Sequence, residues 1–426
     1  MSALGFPMLS GVEGASYAAN SGPQNSVLLR CRPMIERAIA IQQARLLELK
    51  QLRSNTKKKA AAGSFHGVDQ LIAEATAAAA ADDDDDEKVF RIADMGSSSG
   101  PNCLANMQFM LEAIKKHELP SSYEREMQFF FCDLPSNDFN TLMQLQHADN
   151  PNMHPAGEGE DDGKGKGGGG HRCCFGAAVG GTVYGRLFPA SSLHLVFSSC
   201  CLHWLSQTPK SISTSETMEW NPGKIWVDGP LANEATGRAY AHQWQQDLNV
   251  FFRCRNAEMV KGGMMILVIP CRDDSFPPHQ MQKESCFRNL ELAWQQLIQE
   301  GNLEQIDLDT FNIPKYLPTI QEIINAVRLV PNFRIQSLEV IEEAIGDNYW
   351  RQWSHDPNEW ATRVNDFYKS AFWNVIERHV GITKCEAIFE RFKLLLKTSL
   401  QNQSCWESYW AHPWSSYAAL QVFKDI

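Results

Sequence analysis

An alternation between Val89 and Ile269 most constrains what this chain can fold into. Short apolar runs take turns there with segments whose apolar residues recur at helical spacing. Val89–Met95 (VFRIADM) reads as a short buried strand, and Pro101–Lys116 then places Leu104, Met107, Met110, Leu111 and Ile114 on one helical face. Met127–Cys132 (MQFFFC), Leu193–Ser199 (LHLVFSS) and Met264–Ile269 (MMILVI) read as further strands, and Ala241–Val260 reads as a helix. Strands separated by helices predict βαβ units and a mostly parallel sheet. Beyond Glu284 the pattern changes to helices over 284–300, 319–328, 358–379 and 384–398, with one strand, Arg334–Ile341, among them. These predict a helical cap that covers the sheet and helps enclose a pocket.

Two stretches interrupt the alternation. Ser54 to Glu87 holds Lys57–Lys59, an alanine tract and the acid run Asp82–Glu87. Ala148 to Gly170 includes GEGEDDGKGKGGGG. The alanine part of the first could be helical, but its acid run should be solvated, and glycine and charge at the density of the second cannot bury apolar area, so both read as surface insertions without chemistry. The 39 Lys and Arg against 50 Asp and Glu give a net charge of −11, the wrong sign for a duplex-binding surface. The longest apolar run, Met264–Ile269, is too short to span a bilayer, and no basic-then-apolar leader opens the chain. A soluble, cytoplasmic protein without nucleic-acid or membrane partners is expected. The 12 cysteines contain no C-x-x-C and read as reduced thiols.

Three segments after strands could carry chemistry. Asp94–Asn102 (DMGSSSGPN) lies between a strand and a helix, where open α/β sheets bind ligands. Gly96 and Gly100 let its backbone turn and approach a ligand. It is neither G-x-G-x-x-G nor a phosphate-binding G-x-x-x-x-G-K-[ST], and an ordinary βα turn with an Asp cap has the same residues. Asp133, after the second strand, is placed to accept from both hydroxyls of a ribose, or to cap a turn. His203 and Trp204 follow the third strand. An imidazole and an indole N–H there could hold a carboxylate, although a satisfied rim histidine reads the same way.

Seven segments together carry a resemblance: SYAANS at Ser16–Ser21, IADMGSSSGPN at Ile92–Asn102, DLPSNDFN at Asp133–Asn140, YGRLFP at Tyr184–Pro189, HWLSQ at His203–Gln207, NPGKI at Asn221–Ile225 and DTFNIP at Asp309–Pro314. In this order they resemble the SABATH methyltransferases, a plant family of carboxyl methyltransferases for salicylic, benzoic, jasmonic and indole-acetic acids and of caffeine-pathway N-methyltransferases. The resemblance implies a Rossmann-like class I methyltransferase sheet with a helical cap. It implies residues 1–53 closing the site, 88–283 as the S-adenosylmethionine-binding core and 284–426 as the cap. Tyr17, Ser21, Asp94, Asn102, Asp133, Leu134, Thr182 and Val183 would bind the cofactor. Gln24 and Trp204 would hold the substrate carboxylate, with Tyr17, Cys200, His203, Cys286, Phe287 and Tyr316 on the pocket wall. Some members are described with a Mg²⁺ site whose residues match Asn221, Asp309, Phe311 and Asn312. Only one of those four is charged, so an adventitious or structural cation suits the set as well as a required one. The family commonly forms homodimers, which the resemblance extends to this chain.

Departures bear on the substrate. The family usually has Ser-Phe where this chain has Thr182-Val183, and Tyr-Ser where it has Cys200-Cys201. Losing a Phe and a Tyr should open the pocket. A carboxylic acid of pKa ~4.3 is more than about 99% ionised at pH 7, so methyl transfer to it needs alignment rather than a general base. The expected function is therefore methyl-ester formation on a small carboxylic acid. N-methylation of a purine-like heterocycle and a non-catalytic acid-binding protein of the same fold are the competing readings.

Overall fold

The computed structural model describes residues 8–11, 14–61, 89–117, 125–149, 174–228, 232–280, 285–342, 350–401 and 416–425. Its elements run α1 (Tyr17–Asn20), α2 (Gly22–Ala61), β1 (Val89–Met95), α3 (Pro101–His117), β2 (Glu126–Asp133) and α4 (Phe139–Asp149). β3 (Cys174–Gly180), β4 (Leu193–Ser199), α5 (Glu234–Glu258) and β5 (Met259–Cys271) follow. The last part holds α6 (Ser285–Gln299), α7 (Gln305–Asp309), α8 (Ile320–Arg328), β6 (Phe333–Glu342), α9 (Pro357–Val380), α10 (Ile382–Gln401) and β7 (Ser416–Lys424).

The strands form one seven-stranded sheet in the order β3-β2-β1-β4-β5-β7-β6. β3, β2, β1, β4 and β5 are parallel, and β7 runs antiparallel to both β5 and β6. This is the α/β architecture of the class I methyltransferases. The parallel register places Asp94 beside Phe131 of β2 and Phe197 of β4, so the carboxyl ends of these strands open on one edge.

Both sheet faces are buried, as parallel strands require, and side chains alternate between them. Phe90, Ile92, Phe129, Phe131, Leu195 and Phe197 face α2 and α3, where Val27, Ile35, Met107 and Ile114 meet them. Ala93, Met95, Val196, Met265 and Leu267 face the other way, toward Trp244 of α5 and the cap side chains Trp294, Phe372 and Phe389. Burying a large apolar side chain contributes about 1.5–3 kcal/mol, so each face is a substantial part of the core.

Local signals start and stop the helices that frame the site. Pro101 opens α3 with its φ already suited to a helix, and Lys115, Lys116 and His117 sit where its last carbonyls gather negative charge. Thr319 and Glu322 form a reciprocal cap on α8. Asp356 caps α9 by accepting from the N–H groups of Asn358 and Glu359, and Gly381 ends it at φ +82°.

The structure differs from the sequence-based expectations in several places. α5 begins at Glu234, seven residues before the predicted start, because Asn233 caps it by accepting from Ala235 N–H. β5 begins at Met259 rather than Met264. α2, β3 and β7 were not predicted. The insertion placed at 54–87 starts inside α2, which runs on through Ala61; its remainder, and residues 150–170 of the second insertion, lie outside the described residues.

Residues 8–11 and 14–21 form a strap between cap and core. Leu9 N–H donates to the Ser370 carbonyl of α9 at 2.8 Å, and Tyr17 N–H donates back to Leu9 O at 2.9 Å. At the other end Asn102 Nδ2 donates to Ser21 O at 2.8 Å. Among the described residues, no helix is long and apolar enough to cross a membrane.

Candidate active site

A cavity of about 280 Å³ opens at the carboxyl ends of β1, β2 and β4. Of the residues singled out in the sequence, Tyr17, Asp133, Leu134, Thr182, Val183, Cys200 and Trp204 line it. Ser21, Gln24, Asp94, Asn102, His203, Phe287 and Tyr316 stand outside its lining.

Asp94 and Asp133 end neighbouring strands and are the electrostatic centre of the site. Burial first, and then the charge of Asp133, pushes the Asp94 carboxyl up to about 8. Burial also raises Asp133, while two backbone N–H groups pull it back. Those donors are Ser98 N–H to Oδ2 at 2.6 Å and Leu134 N–H to Oδ1 at 2.7 Å. Each Asp133 oxygen thus already accepts from one backbone N–H, an engagement the sequence did not reveal. Asp133 shapes the β1 loop through Ser98, and each oxygen keeps lone-pair capacity for a ligand.

The loop after β1 is held close to its neighbours. Gly96 has φ +83° and Ser98 has φ +57°. Cys200, at the end of β4, has φ +52°. Left-handed backbone costs a non-glycine residue about 1–3 kcal/mol, and Ser98 and Cys200 both line the cavity, so strain collects at the site. A Cβ on Gly100 would lie 3.1 Å from the backbone of Ala18 in the strap. Asn102 does not reach the cavity; its amide fixes the strap instead.

Trp204 is fixed through its main chain. Its N–H donates to Cys201 O at 3.0 Å, and its carbonyl accepts the Tyr184 hydroxyl at 2.5 Å. The indole is left to line the cavity, backed by the Phe372 ring at 5.4 Å. Phe287 packs behind it, 5.3 Å from Phe372, and so supports the wall without forming it. Gln24 lies in the first turn of α2, and its Oε1 is buried with no partner among the described residues. His203 is buried, its Nδ1 likewise has no partner, and burial with nearby Lys315 holds it well below the usual imidazole range. It is a neutral ring, 5.8 Å from that of Trp204.

Tyr316 is corrected from pocket wall to core. It is fully buried, its hydroxyl donates to Glu322 Oε1 at 2.8 Å, and the Arg272 guanidinium lies 5.0 Å over its ring. Cys286 lies on α6, and its side chain falls outside the described residues. Asn221, Asp309 and Asn312 do cluster. Asn221 Nδ2 donates to Asn312 Oδ1 at 2.7 Å, and Asp309 Oδ1 accepts from Gly223 N–H at 2.8 Å. Among the described residues the buried orphan of this set is Asn312 Nδ2, and turning the Asn221 and Asn312 amides end for end would leave an oxygen there instead. Phe311 brings a ring stacked 4.8 Å from Trp294. Asp309 is the one charged member of the set, so nothing in it selects Mg²⁺ over another hard cation.

Sequence reasoning missed Met8, Tyr184 and Asp247 on the cavity wall. Asp247 accepts from Ser206 N–H at 2.8 Å, Ser206 Oγ at 2.7 Å and Gln243 Nε2 at 2.9 Å. A signal existed: Ser206 belongs to the HWLSQ segment, and Gln243 and Asp247 stand four apart on one helix face.

Fold and cavity together define a class I methyltransferase. A family model described as "SAM dependent carboxyl methyltransferase" matches residues 52–411. The chain is 35% identical over 312 residues to indole-3-acetate O-methyltransferase 1 of Oryza sativa subsp. japonica, covering 72% of this chain and 76% of that protein. It is 29% identical over 322 residues to gibberellic acid methyltransferase 2 of Arabidopsis thaliana, covering 72% and 78%. A solved structure of loganic acid methyltransferase with SAH shares the fold, with TM-score 0.74 and 22% identity over 99% of both chains. The chain belongs to the SABATH family of S-adenosylmethionine-dependent carboxyl methyltransferases. It is an enzyme that forms methyl esters of small carboxylic acids with S-adenosylmethionine as the methyl donor.

Proposed function

We propose that the acid esterified here is longer than benzoate, of a cinnamate or terpenoid type, and that Trp204 and Gln24 hold its carboxylate. The observation that carries this is Cys200, a small side chain on the cavity wall where the family usually has Tyr. Apolar space beside Trp204 is then available to a larger acid, and matched burial stabilises its complex by about 25 cal/mol per Å².

The nucleoside would lie against Asp133, the Gly96–Ser98 loop and Leu134, with Thr182 and Val183 beside its base. The donor supplies an activated methyl group on a sulfonium. The chain's side chains then have little bond chemistry to do. Trp204 donates its indole N–H to the carboxylate oxygen that does not attack. Gln24 offers its amide, whose buried Oε1 lacks a partner; a half-turn of that amide presents its NH₂ instead. His203 is neutral, and no base is required because the acid is already ionised. Holding the reactants aligned and dry is the catalytic device.

Initial rates over a panel of carboxylic acids, with labelled S-adenosylmethionine and product mass spectrometry, test this. A cinnamate-type or terpenoid acid should give the highest kcat/KM. If benzoate or salicylate outruns every longer acid, the open-pocket reading is wrong. We further read the protein as a cytoplasmic homodimer without nucleic-acid or membrane partners. Family resemblance and the net charge of −11 support this, and sedimentation velocity checks the dimer.

A further inference from the structure

The last turn of α5 carries an ion pair that the esterification chemistry does not use. Arg255 and Glu258 are both fully buried, and Arg255 Nε donates to Glu258 Oε2 at 2.7 Å. Their remaining groups converge on one loop. Arg255 Nη1 donates to Val183 O at 3.0 Å, and Nη2 donates to Gly185 O at 2.8 Å. Glu258 Oε1 accepts the N–H groups of Leu187 at 2.6 Å and Phe188 at 3.1 Å. The segment 183–188, which includes most of the YGRLFP motif, is thus gripped at both ends. The guanidinium grips its first half and the carboxylate its second.

A buried ion pair is an expensive way to stabilise a fold, since apolar residues of the same volume often do as well or better. What apolar residues cannot do is donate to two backbone carbonyls and accept from two backbone N–H groups in fixed directions. Arg255 also reaches β1, with Nη1 3.6 Å from the Met95 sulfur, one residue before Gly96. One side chain therefore references the loop carrying Thr182 and Val183 to the strand that ends in the Gly96–Ser98 turn. These are two walls of one cavity.

We propose that Arg255 and Glu258 are positioning residues for the nucleoside donor: they set the separation between the Thr182–Val183 wall and the β1 turn, and so set cofactor affinity without touching the cofactor. The proposal rests on the reading that Thr182 and Val183 flank the nucleoside. Arg255→Lys keeps the charge beside Glu258 but loses the forked donation to Val183 and Gly185. Calorimetry with S-adenosylhomocysteine should show Kd raised about ten-fold or more, while the KM for the acid at saturating donor changes less than about two-fold. Should Arg255→Lys fail to fold, the double variant Arg255→Met/Glu258→Met removes both buried charges and should fold, with the same loss of S-adenosylhomocysteine affinity.

A folded variant of either kind that binds S-adenosylhomocysteine within about two-fold of wild type overturns the proposal. So does an equal rise in Kd and in acid KM with a lowered Tm, which marks a merely structural pair. Asp133→Ala, measured alongside, separates the two levels. If it weakens S-adenosylhomocysteine and Arg255→Lys does not, the clamp fails and the nucleoside site stands. If neither does, the site reading itself fails.

Discussion

The sulfur of Cys201 fills the space that a side chain on Gly96 would need: a Cβ built there would lie 2.3 Å from it. The β1 turn and the end of β4 are therefore in contact through a residue that has no side chain, at a φ of +83°. Gly96→Ala meets both obstacles at once. The left-handed backbone and the overpacking together cost about 2–5 kcal/mol. The variant should melt at a lower temperature and bind S-adenosylhomocysteine at least about ten-fold more weakly. Cys201→Ser, which restores the residue usual in the family, should leave both measurements near wild type. A Gly96→Ala enzyme with unchanged affinity would show that the turn does not shape the site.

Asp133→Ala removes the acceptor that holds Ser98 N–H and Leu134 N–H and that faces the cavity. Bonds to a charged acceptor are worth about 1.5–3 kcal/mol, so KM for S-adenosylmethionine should rise about ten- to a hundred-fold. Steady-state kinetics at saturating acid checks this. An unchanged donor KM would remove Asp133 from the site.

Cys200→Tyr restores the bulk usual in the family and should shift kcat/KM toward benzoate-sized acids by about ten-fold. Trp204→Phe should instead lower kcat/KM for every acid, because it removes the N–H common to all of them. Competition assays with one long and one short acid separate the two patterns: the first changes the ratio, the second does not.

Asp94 is one source of pH-dependent stability, beside other buried acids whose carboxyls are raised. Its carboxyl titrates at about 8 in the folded chain against 3.8 for the free group, so the folded state holds the proton longer. Stability is therefore lost as pH rises from about 4 and the loss is complete above about 8. Asp94→Asn lacks this slope. Without ligand, its melting temperature should match wild type near pH 4 and exceed it increasingly up to pH 8. A gap that does not widen with pH would place the charge elsewhere. The same variant should bind the donor less well if Asp94 has been kept for its ligand at the expense of the fold.

The parallel half of the sheet was legible because β1, β2, β4 and β5 are short, mostly apolar runs followed by turn residues. β3 was not, since CFGAAVG offers little side-chain bulk, and much of it is only half-buried at the sheet edge. β7 is buried along nearly its whole length between β5 and β6, and such a run cannot be told from a helix by period. α2 carries Pro33 in its interior and a weakly sided apolar pattern, so nothing marks it as a 40-residue helix. Apart from Tyr17, the motif residues that touch the cavity follow strands, and their place was readable from that alone. Arg255 and Glu258 were not, because a charged pair three apart on a helix looks like any solvated face until the helix is seen to be buried.

The strap has a consequence for the order of events. It is tied at Leu9 to the cap helix and at Ser21 to Asn102, the second residue of the helix that follows the nucleoside turn. Tyr17, between the two ties, lines the cavity. A ligand seated against Tyr17 therefore bears on a segment tied to both cap and core. Whatever factor the bound donor adds to affinity for the acid, the acid must return to the donor. The product pair obeys the same reciprocity with a factor of its own: whatever the bound ester adds to the hold on the spent nucleoside is given up when the ester leaves.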